Sequence, residues 1–572
     1  MTRKSDSKIK WVGARKTIQV HLPDGKVLEG RRGSLLGEFM TMLPDEDAPI
    51  VGGIVNGELR ELSYPIKSDS TVKPVTMATA DGMRIYRRSL TFLLAAAFEE
   101  LYPDARLTVD HSVVSGGYYC QLTGSKPFKA KQLARLEQRM RQWVDADEPI
   151  VKCQIPIEDA RKQYRDRGYP DRARLLEHRK KPHLVVYKLG EFSDYHHGYM
   201  VPSAGYLKWF ALDVAEEGFT LRFPRRHRPT ELLPPPEYPR LLATFRQYGD
   251  WLETLGVSSV GALNDAILAG RAREIILVSD ALHERHIAQI AAQIAEARDS
   301  VRVVLVAGPS ASGKTTFSKR LSIQLLALGV SPYPIPMDNF FVDRVLTPKD
   351  EQGEYDYETV DALDRERLNH DLANLIAGKR TQMPRYDFLT GKQLDGASVT
   401  LAEDQIVILE GIHGLNPELL SKIAPESTFR IYVSAMTQLN LDRYNRVSTT
   451  DTRLIRRIVR DASRRGYSAS ETIRRWESVR RGEKRNIFPF QENADMMFNS
   501  ALLYEGAALA PLAEPLIRQV SHGTPEHVEA KRLLAFLEWF QPIDTDLIPD
   551  DSILREFIGG SILSEFTPWQ HP

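Results

Sequence analysis

The stretch VLVAGPSASGKTTFSKRL, which begins at Val304, constrains this chain more than any other. Gly308, Gly313, Lys314 and Thr315 fit the pattern G-x-x-x-x-G-K-[S/T]. Ahead of them, VRVVLVA forms an unbroken apolar run of the kind a buried parallel strand needs. Behind them, TTFSKRLSIQLLALG has helical spacing and stops at Gly329. Strand, loop and helix in that order predict an α/β sheet whose loop wraps phosphate. The glycines let backbone N–H groups converge on phosphate oxygens, and the helix N-terminus adds partial positive charge. Ser310, Ala311, Ser312 and Thr316 complete the cradle. Lys314 is placed to reach β/γ-phosphates and the Thr315 hydroxyl to ligate magnesium, so ATP and Mg2+ are the expected cofactors.

Two acids follow short apolar runs: Asp338 in SPYPIPMDNFF and Glu410 in QIVILEGIHGL. In an open parallel sheet, ligands bind outside the carboxyl ends of the strands, so both acids are expected to face the nucleotide. One would hold magnesium or its waters and the other would take a proton from an attacking hydroxyl. In DTRLIRRIVRDASRRG, Arg453, Arg456, Arg457 and Arg460 are spaced to share one helix face. Between Thr452 and Asn486 twelve Lys/Arg stand against four Asp/Glu, in a chain with 76 of each sign. In a phosphoryl-transfer domain this reads as a mobile arginine lid, with a merely solvated charged face as the plain alternative.

At 572 residues the chain is too long for one hydrophobic core, and about three or four domains are expected. Its formal net charge of zero excludes a whole surface built to bind polyanions, leaving only a local basic patch open. Cys120 and Cys153 are the only cysteines, which excludes a disulfide framework and a cysteine zinc site and suits a reducing compartment. The opening MTRKSDSKIKWVGARKT has no apolar run behind it, so no secretory signal is expected. No window approaches the apolar length of a membrane span, and a cytoplasmic location is expected.

Residues 17–79 read as a small β-rich module with hairpin turns at Asp24-Gly25 and Asn56-Gly57. An α+β module follows over 80–226, beginning with the helical RRSLTFLLAAAFEELYP. The prolines of RRHRPTELLPPPEYPR then open a spacer, and helical patterns resume to complete a linker over 227–295. Strands and helices alternate over 296–520, predicting a parallel sheet with helices on both faces. A short helical extension covers 521–572.

The segment from Val301 to about Val520 resembles the uridine kinase/phosphoribulokinase family of P-loop kinases. The likeness rests on GPSASGKTT, DNFF, YDYETVDALD, PRYDFLTGK, EGIHGL and DTRLIRRIVRD, in that order. It implies ATP-dependent phosphorylation of a primary hydroxyl, usually on a ribonucleoside. Carried over by position, it implies Asp338 as base, Glu410 on the magnesium side and Arg456 and Arg460 as lid arginines. Asp356 with Arg453 would grip the sugar, Asp361 being the alternative to Asp356, and Tyr386 would pack on the base. Five residues after Tyr386, where the uridine kinase pattern has a base-reading histidine, this chain has Gly391.

Residues 17–79 resemble a TGS domain, a β-grasp-like module. Residues 80–226 are similar to the second additional domain of threonyl-tRNA synthetase, through LLAAAFEELYPDARL, GGYYCQL and LGEFSDYHHGYMVPSAGYLKWFAL. In the synthetases that domain edits through H-x-x-x-H and C-x-x-x-H; here those positions hold Arg88 with Phe92, and His196 with Met200. The reading is therefore a scaffold without hydrolytic editing, able to take RNA, a nucleotide effector or a partner.

The whole is expected to be a nucleoside kinase with a regulatory N-terminal half. Alternatives are a kinase of another sugar or sugar phosphate, and an RNA-binding, translation-linked regulator that uses ATP as a switch. No N-K-x-D element supports a GTPase. A homo-oligomer is left open, as is whether RRGEKRNIFPFQENAD contacts nucleotide or closes a subunit interface.

Overall fold

The computed structural model describes residues 13, 15–44, 48–113, 116–124, 126–215, 217–234, 238–350 and 353–568. Most of the stretch on which the absence of a secretory signal was argued, and the middle of the proline spacer at 235–237, lie outside these residues. The chain divides into two compact units. The first comprises Met1–Ile155, His183–Pro234 and His522–Val528; the second comprises Pro156–Pro182, Pro235–Ser521 and Glu529–Pro572.

The first unit opens with a five-stranded mixed sheet. Thr17–His21 pairs antiparallel with Val27–Arg31 across the Asp24-Gly25 turn. Ile50–Val55 pairs with Glu58–Glu61 across Asn56-Gly57, whose φ angles of 50° and 82° are of the sign that two-residue hairpins need. Ser70–Thr76 joins the hairpins, parallel to Thr17–His21 and antiparallel to Ile50–Val55. Ile18, Val20, Leu36, Phe39 and Val72 form the core beneath. The helix Ala80–Leu101 is capped by Thr79, whose Oγ1 accepts from Gly82 N at 3.1 Å, and it ends just before Pro103 as the sequence predicts. A four-stranded antiparallel sheet contains Gly117–Thr123, and the helix Ala130–Asp145 buries Leu133, Leu136, Met140 and Val144 along one face.

The second unit is built on five parallel strands: β1 (Val303–Ala307), β2 (Ser331–Pro336), β3 (Gln405–Glu410), β4 (Thr428–Ser434) and β5 (Met496–Asn499), in the order β2-β3-β1-β4-β5. Every residue of β1 is buried, and each Val or Leu so placed stabilises the fold by about 1.5–3 kcal/mol. The chain leaves β1 toward β2 on one side and later crosses to β4 on the other. This reversal beside β1 opens a crevice at the strand carboxyl ends.

The helices expected in the linker over 227–295 form, as Pro239–Thr254, Val260–Leu268 and Ala272–Glu296, but they group with this unit instead of standing apart as a tether. Their apolar faces, with Phe245, Leu252, Leu263, Ile276 and Ile287, are buried, and burying such a face favours packing over a free tether. Residues 156–182, expected in the 80–226 module, also group here. Among the described residues no helix is long and apolar enough to cross a membrane. Both cysteines are free thiols.

Candidate active site

Strand register assembles the site. Val306 of β1 lies beside Glu410 at the end of β3, and Glu410 lies beside Pro336 at the end of β2. The loop after β1, Asp338 and Glu410 therefore emerge along one edge of the sheet. Glycines permit the closeness: a Cβ on Gly308 would fall 1.9 Å from Val433 O, and one on Gly411 would fall 2.5 Å from Met337 Cβ. Gly313 caps the helix Lys314–Ala327 with φ +87°, which turns the loop amides toward the helix N-terminus. Ala311 has φ +57°, a conformation that side chains rarely adopt.

Thr315 Oγ1 donates to Glu410 Oε2 at 3.2 Å. Burial pushes the Glu410 carboxyl up to about 7, with Asp338 and Glu556 adding repulsion and Lys314 pulling the other way. Asp338 is open at the mouth of the crevice, yet the protein around its carboxyl desolvates it enough to raise its pKa, against the pull of Lys314 and Arg465. Lys314 is buried and donates from Nζ to Pro309 O at 3.2 Å. The structure thus gathers Lys314, Thr315, Asp338 and Glu410 at the cradle.

The arginine helix, Thr449–Arg464, departs from expectation. Arg456, expected in a mobile lid, is 0% exposed. It donates from Nε to Glu505 Oε2 at 2.6 Å and from Nη2 to Ser500 O at 2.8 Å. Arg453, expected on the sugar, is 1% exposed; it donates from Nε to Ser310 O at 2.8 Å and pairs with the buried Glu483. Glu483 also accepts from Ser310 N at 3.2 Å and from Arg480 Nη1 at 3.2 Å. Both arginines therefore hold the loop from behind, because their helix packs its charged face inward. Arg460 is held by Asp461 at 2.9 Å. Arg465, outside the four singled out from spacing, is the arginine that acts on Asp338.

Of the two acids proposed for the sugar, Asp356 spends Oδ1 on the backbone N–H of Glu358 at 3.0 Å, and the exposed Asp361 pairs with Arg365 at 2.8 Å. Glu358, passed over in the sequence, is the acid turned inward. Its Oε2 is buried without a hydrogen-bond partner, and burial, then repulsion from Glu483, push its carboxyl up to about 7 against Arg457 and Lys314. The helix Ala469–Asn486 approaches it through Gly482, where a Cβ would fall 2.2 Å from Glu358 Cβ.

Tyr386 lies on the hairpin Thr381–Asp387/Lys392–Val399, buried, with its ring 5.5 Å from that of Phe341. Gly391, at φ +69°, accepts from Arg344 N at 2.8 Å, and a Cβ there would fall 2.7 Å from the Arg344 guanidinium carbon. Arg344 occupies the space a histidine would need, donating from Nε to Tyr357 Oη at 3.2 Å and from Nη2 to Phe388 O at 2.6 Å.

The C-terminal extension also reaches the cradle. Glu556 Oε2 accepts from Thr316 N at 3.1 Å, and Lys319 Nζ donates to Ser564 O at 3.0 Å. No motif marks these residues in the sequence.

In the first unit, the four synthetase-like positions gather around the helix Ala80–Leu101. The His196 ring meets Phe92 edge-on at 5.4 Å, Arg88 Nη1 donates to Tyr199 O at 2.7 Å, and Met200 is buried.

Residues 303–502 match the model of the family described as "Phosphoribulokinase / Uridine kinase family". The threonine–tRNA ligase of Burkholderia lata is 33% identical over 197 residues, 34% of this chain and 31% of that ligase. The chain thus spans about a third of the length of the curated relatives it matches. Among solved structures, a "Possible Uridine Kinase" from Bacillus stearothermophilus is 30% identical over 23% of this chain and 70% of its own, with a TM-score of 0.20. D-glycerate 3-kinase from Cryptococcus neoformans is 16% identical over 44% of this chain and 87% of its own, with a TM-score of 0.21. Parallel sheet, phosphate loop and family match coincide within the second unit: residues 303–502 match the phosphoribulokinase/uridine kinase family model, in one chain with an N-terminal region similar to threonine–tRNA ligase.

Proposed function

We propose that this protein is an ATP-dependent kinase that phosphorylates a hydroxyl of a sugar or nucleoside. The observation that carries the reading is the Thr315–Glu410 contact at 3.2 Å, formed where Asp338 and Lys314 meet at three aligned strand ends. An oxygen-only donor pair of this kind suits Mg2+, which when bound would neutralise charge on the phosphate oxygens. The loop amides and Lys314 would hold the phosphates, and Arg465 would add positive charge beside the reacting group. Asp338 would orient the acceptor hydroxyl and take its proton at the carboxylate. Glu358, buried and turned inward, is suited to accept hydrogen bonds from neighbouring hydroxyls of the acceptor.

The acceptor is the finer question. Gly391 and Arg344 disfavour the pyrimidine reading of the uridine kinase pattern, and the guanidinium favours an acceptor that already carries a negative charge, such as a sugar phosphate. A panel of nucleosides, sugars and sugar phosphates with Mg-ATP tests this. ADP formation on at least one acceptor, abolished by Asp338→Asn, is expected; none above that control on any acceptor refutes the kinase reading.

For the N-terminal half we propose a regulatory role without hydrolytic editing. His196 packed on Phe92, with Arg88 on the Tyr199 carbonyl, supports it. The strand order of residues 17–76 supports a TGS-type, β-grasp-like module. The likeness to threonine–tRNA ligase favours RNA as the effector, which salt-sensitive binding of tRNA to the full-length chain would test.

A further inference from the structure

Glu58, His522 and His527, all within the first unit, each offer a ligand atom within 4.8 Å of the other two. We propose that they form a binding site for a first-row divalent metal ion of the Zn2+ class, joining the Glu58–Glu61 hairpin to residues 522–528.

Four observations build the site. His522 Nε2 stands 3.4 Å from Glu58 Oε1, and tetrahedral ligands at zinc-like distances lie roughly 3.4 Å apart. His527 Nδ1 is buried without a hydrogen-bond partner, a deficit that a metal bond would remove. The two imidazoles meet edge to face with centroids 4.8 Å apart, so both rings already converge on the carboxylate. Arg60 takes Glu58 Oε2, leaving Oε1 on the side of His522, which orients the ligand as outer-shell partners do.

The backbone preassembles these groups. Gly57, in the hairpin turn, and Gly523 both have φ +82°, and a Cβ on Gly57 would fall 2.6 Å from Gly523 Cα. The two main chains thus press together beside the cluster, although Glu58 and His522 are 464 positions apart. Two imidazoles and one carboxylate select a borderline ion over hard Mg2+ and leave one tetrahedral position for water or an outside ligand. His522 is 65% exposed, which gives the ion a route from solvent.

The test uses tag-free, full-length protein stripped by chelator and titrated calorimetrically with Zn2+ in excess Mg2+, which keeps the kinase site out of the reading. One equivalent is expected to bind at about 10 µM or tighter. His522→Ala and Glu58→Gln should each weaken binding about 10- to 100-fold. Because His522 is exposed, His522→Ala should leave the metal-free melting profile unchanged and so decides the matter even if His527→Gln fails to fold. Co2+ should give the strong visible absorption of a tetrahedral site in the parent protein and lose it in His522→Ala. No Zn2+ binding, or binding unchanged in both His522→Ala and Glu58→Gln, overturns the proposal.

Discussion

Thr316 N donates to Glu556 Oε2 at 3.1 Å, a bond between positions 240 residues apart. It places a carboxylate on the N-terminal turn of the P-loop helix, where backbone amides are expected to receive phosphate. Ile553 lies alongside, 2.6 Å from where a Gly313 Cβ would stand. If the second unit binds ATP as proposed, the C-terminal segment and ATP would compete at this helix N-terminus. Glu556→Gln should lower the KM for ATP about three- to tenfold with kcat within about twofold. Steady-state kinetics, or binding of a fluorescent ATP analogue, checks this; unchanged ATP affinity would mean that the two do not compete.

Asp338→Asn should lower kcat about 10²- to 10⁴-fold while ATP still binds, since the loss is of proton acceptance at the carboxylate. In the parent protein, kcat should fall on the acid side at a pH above the ordinary carboxylate range, because desolvation by the surrounding protein raises the Asp338 pKa. A pH–rate profile flat down to pH 4, or an Asp338→Asn enzyme with parental kcat, contradicts the assignment.

Arg453→Ala should destabilise the second unit by up to about 3–5 kcal/mol, because the buried Glu483 loses its fully buried partner and keeps only Arg480 and the Ser310 amide. Adding Glu483→Gln should restore part of the loss. Thermal melting measures both; a sugar-gripping role alone would instead raise the acceptor KM and leave melting unchanged.

Glu358 makes stability depend on pH. Its folded-state pKa, raised to about 7 from 4.5, means that the folded chain holds a proton the unfolded chain has released. Stability from this group is fully present below pH 4.5 and is lost as pH rises toward 7. Glu358→Gln should therefore raise the melting temperature of the nucleotide-free protein by a few degrees at pH 8 and by little at pH 4.5. Melting curves at the two values decide it, and a larger gain at the lower pH would reverse the sign argued here.

Arg344→Ala should raise the KM for a sugar-phosphate acceptor about tenfold or more with little change in kcat, if the acceptor is anionic as proposed. Gly391→His should not create pyrimidine nucleoside kinase activity, because φ +69° and the Arg344 guanidinium leave no room for the ring. The acceptor panel, run on both variants, measures each effect.

The reach of the sequence followed the range of the interactions. Asp24-Gly25 and Asn56-Gly57 announce their hairpins because a two-residue turn is encoded by the residues in it. Lys314, Thr315, Asp338 and Glu410 were legible because each sits within a few residues of a strand end, and parallel register then does the rest. The helix spacing of Arg453, Arg456, Arg457 and Arg460 was legible too, but not its meaning. Spacing says which residues share a face, whereas whether that face meets solvent or a buried Glu483 and Glu505 depends on residues tens of positions away.

By itself, then, the sequence determined a phosphate loop between a buried strand and a helix, two acids at neighbouring strand ends, and a front half of synthetase-like pieces. Only the tertiary structure decided that Arg453 and Arg456 are buried braces, that Glu358 rather than Asp356 turns inward, and that Glu556 lies on the Thr316 amide at the helix N-terminus. The reason is physical: turns, caps and strand–loop–helix units arise from neighbours in the chain, while desolvation and charge pairing are set by whatever the fold brings alongside.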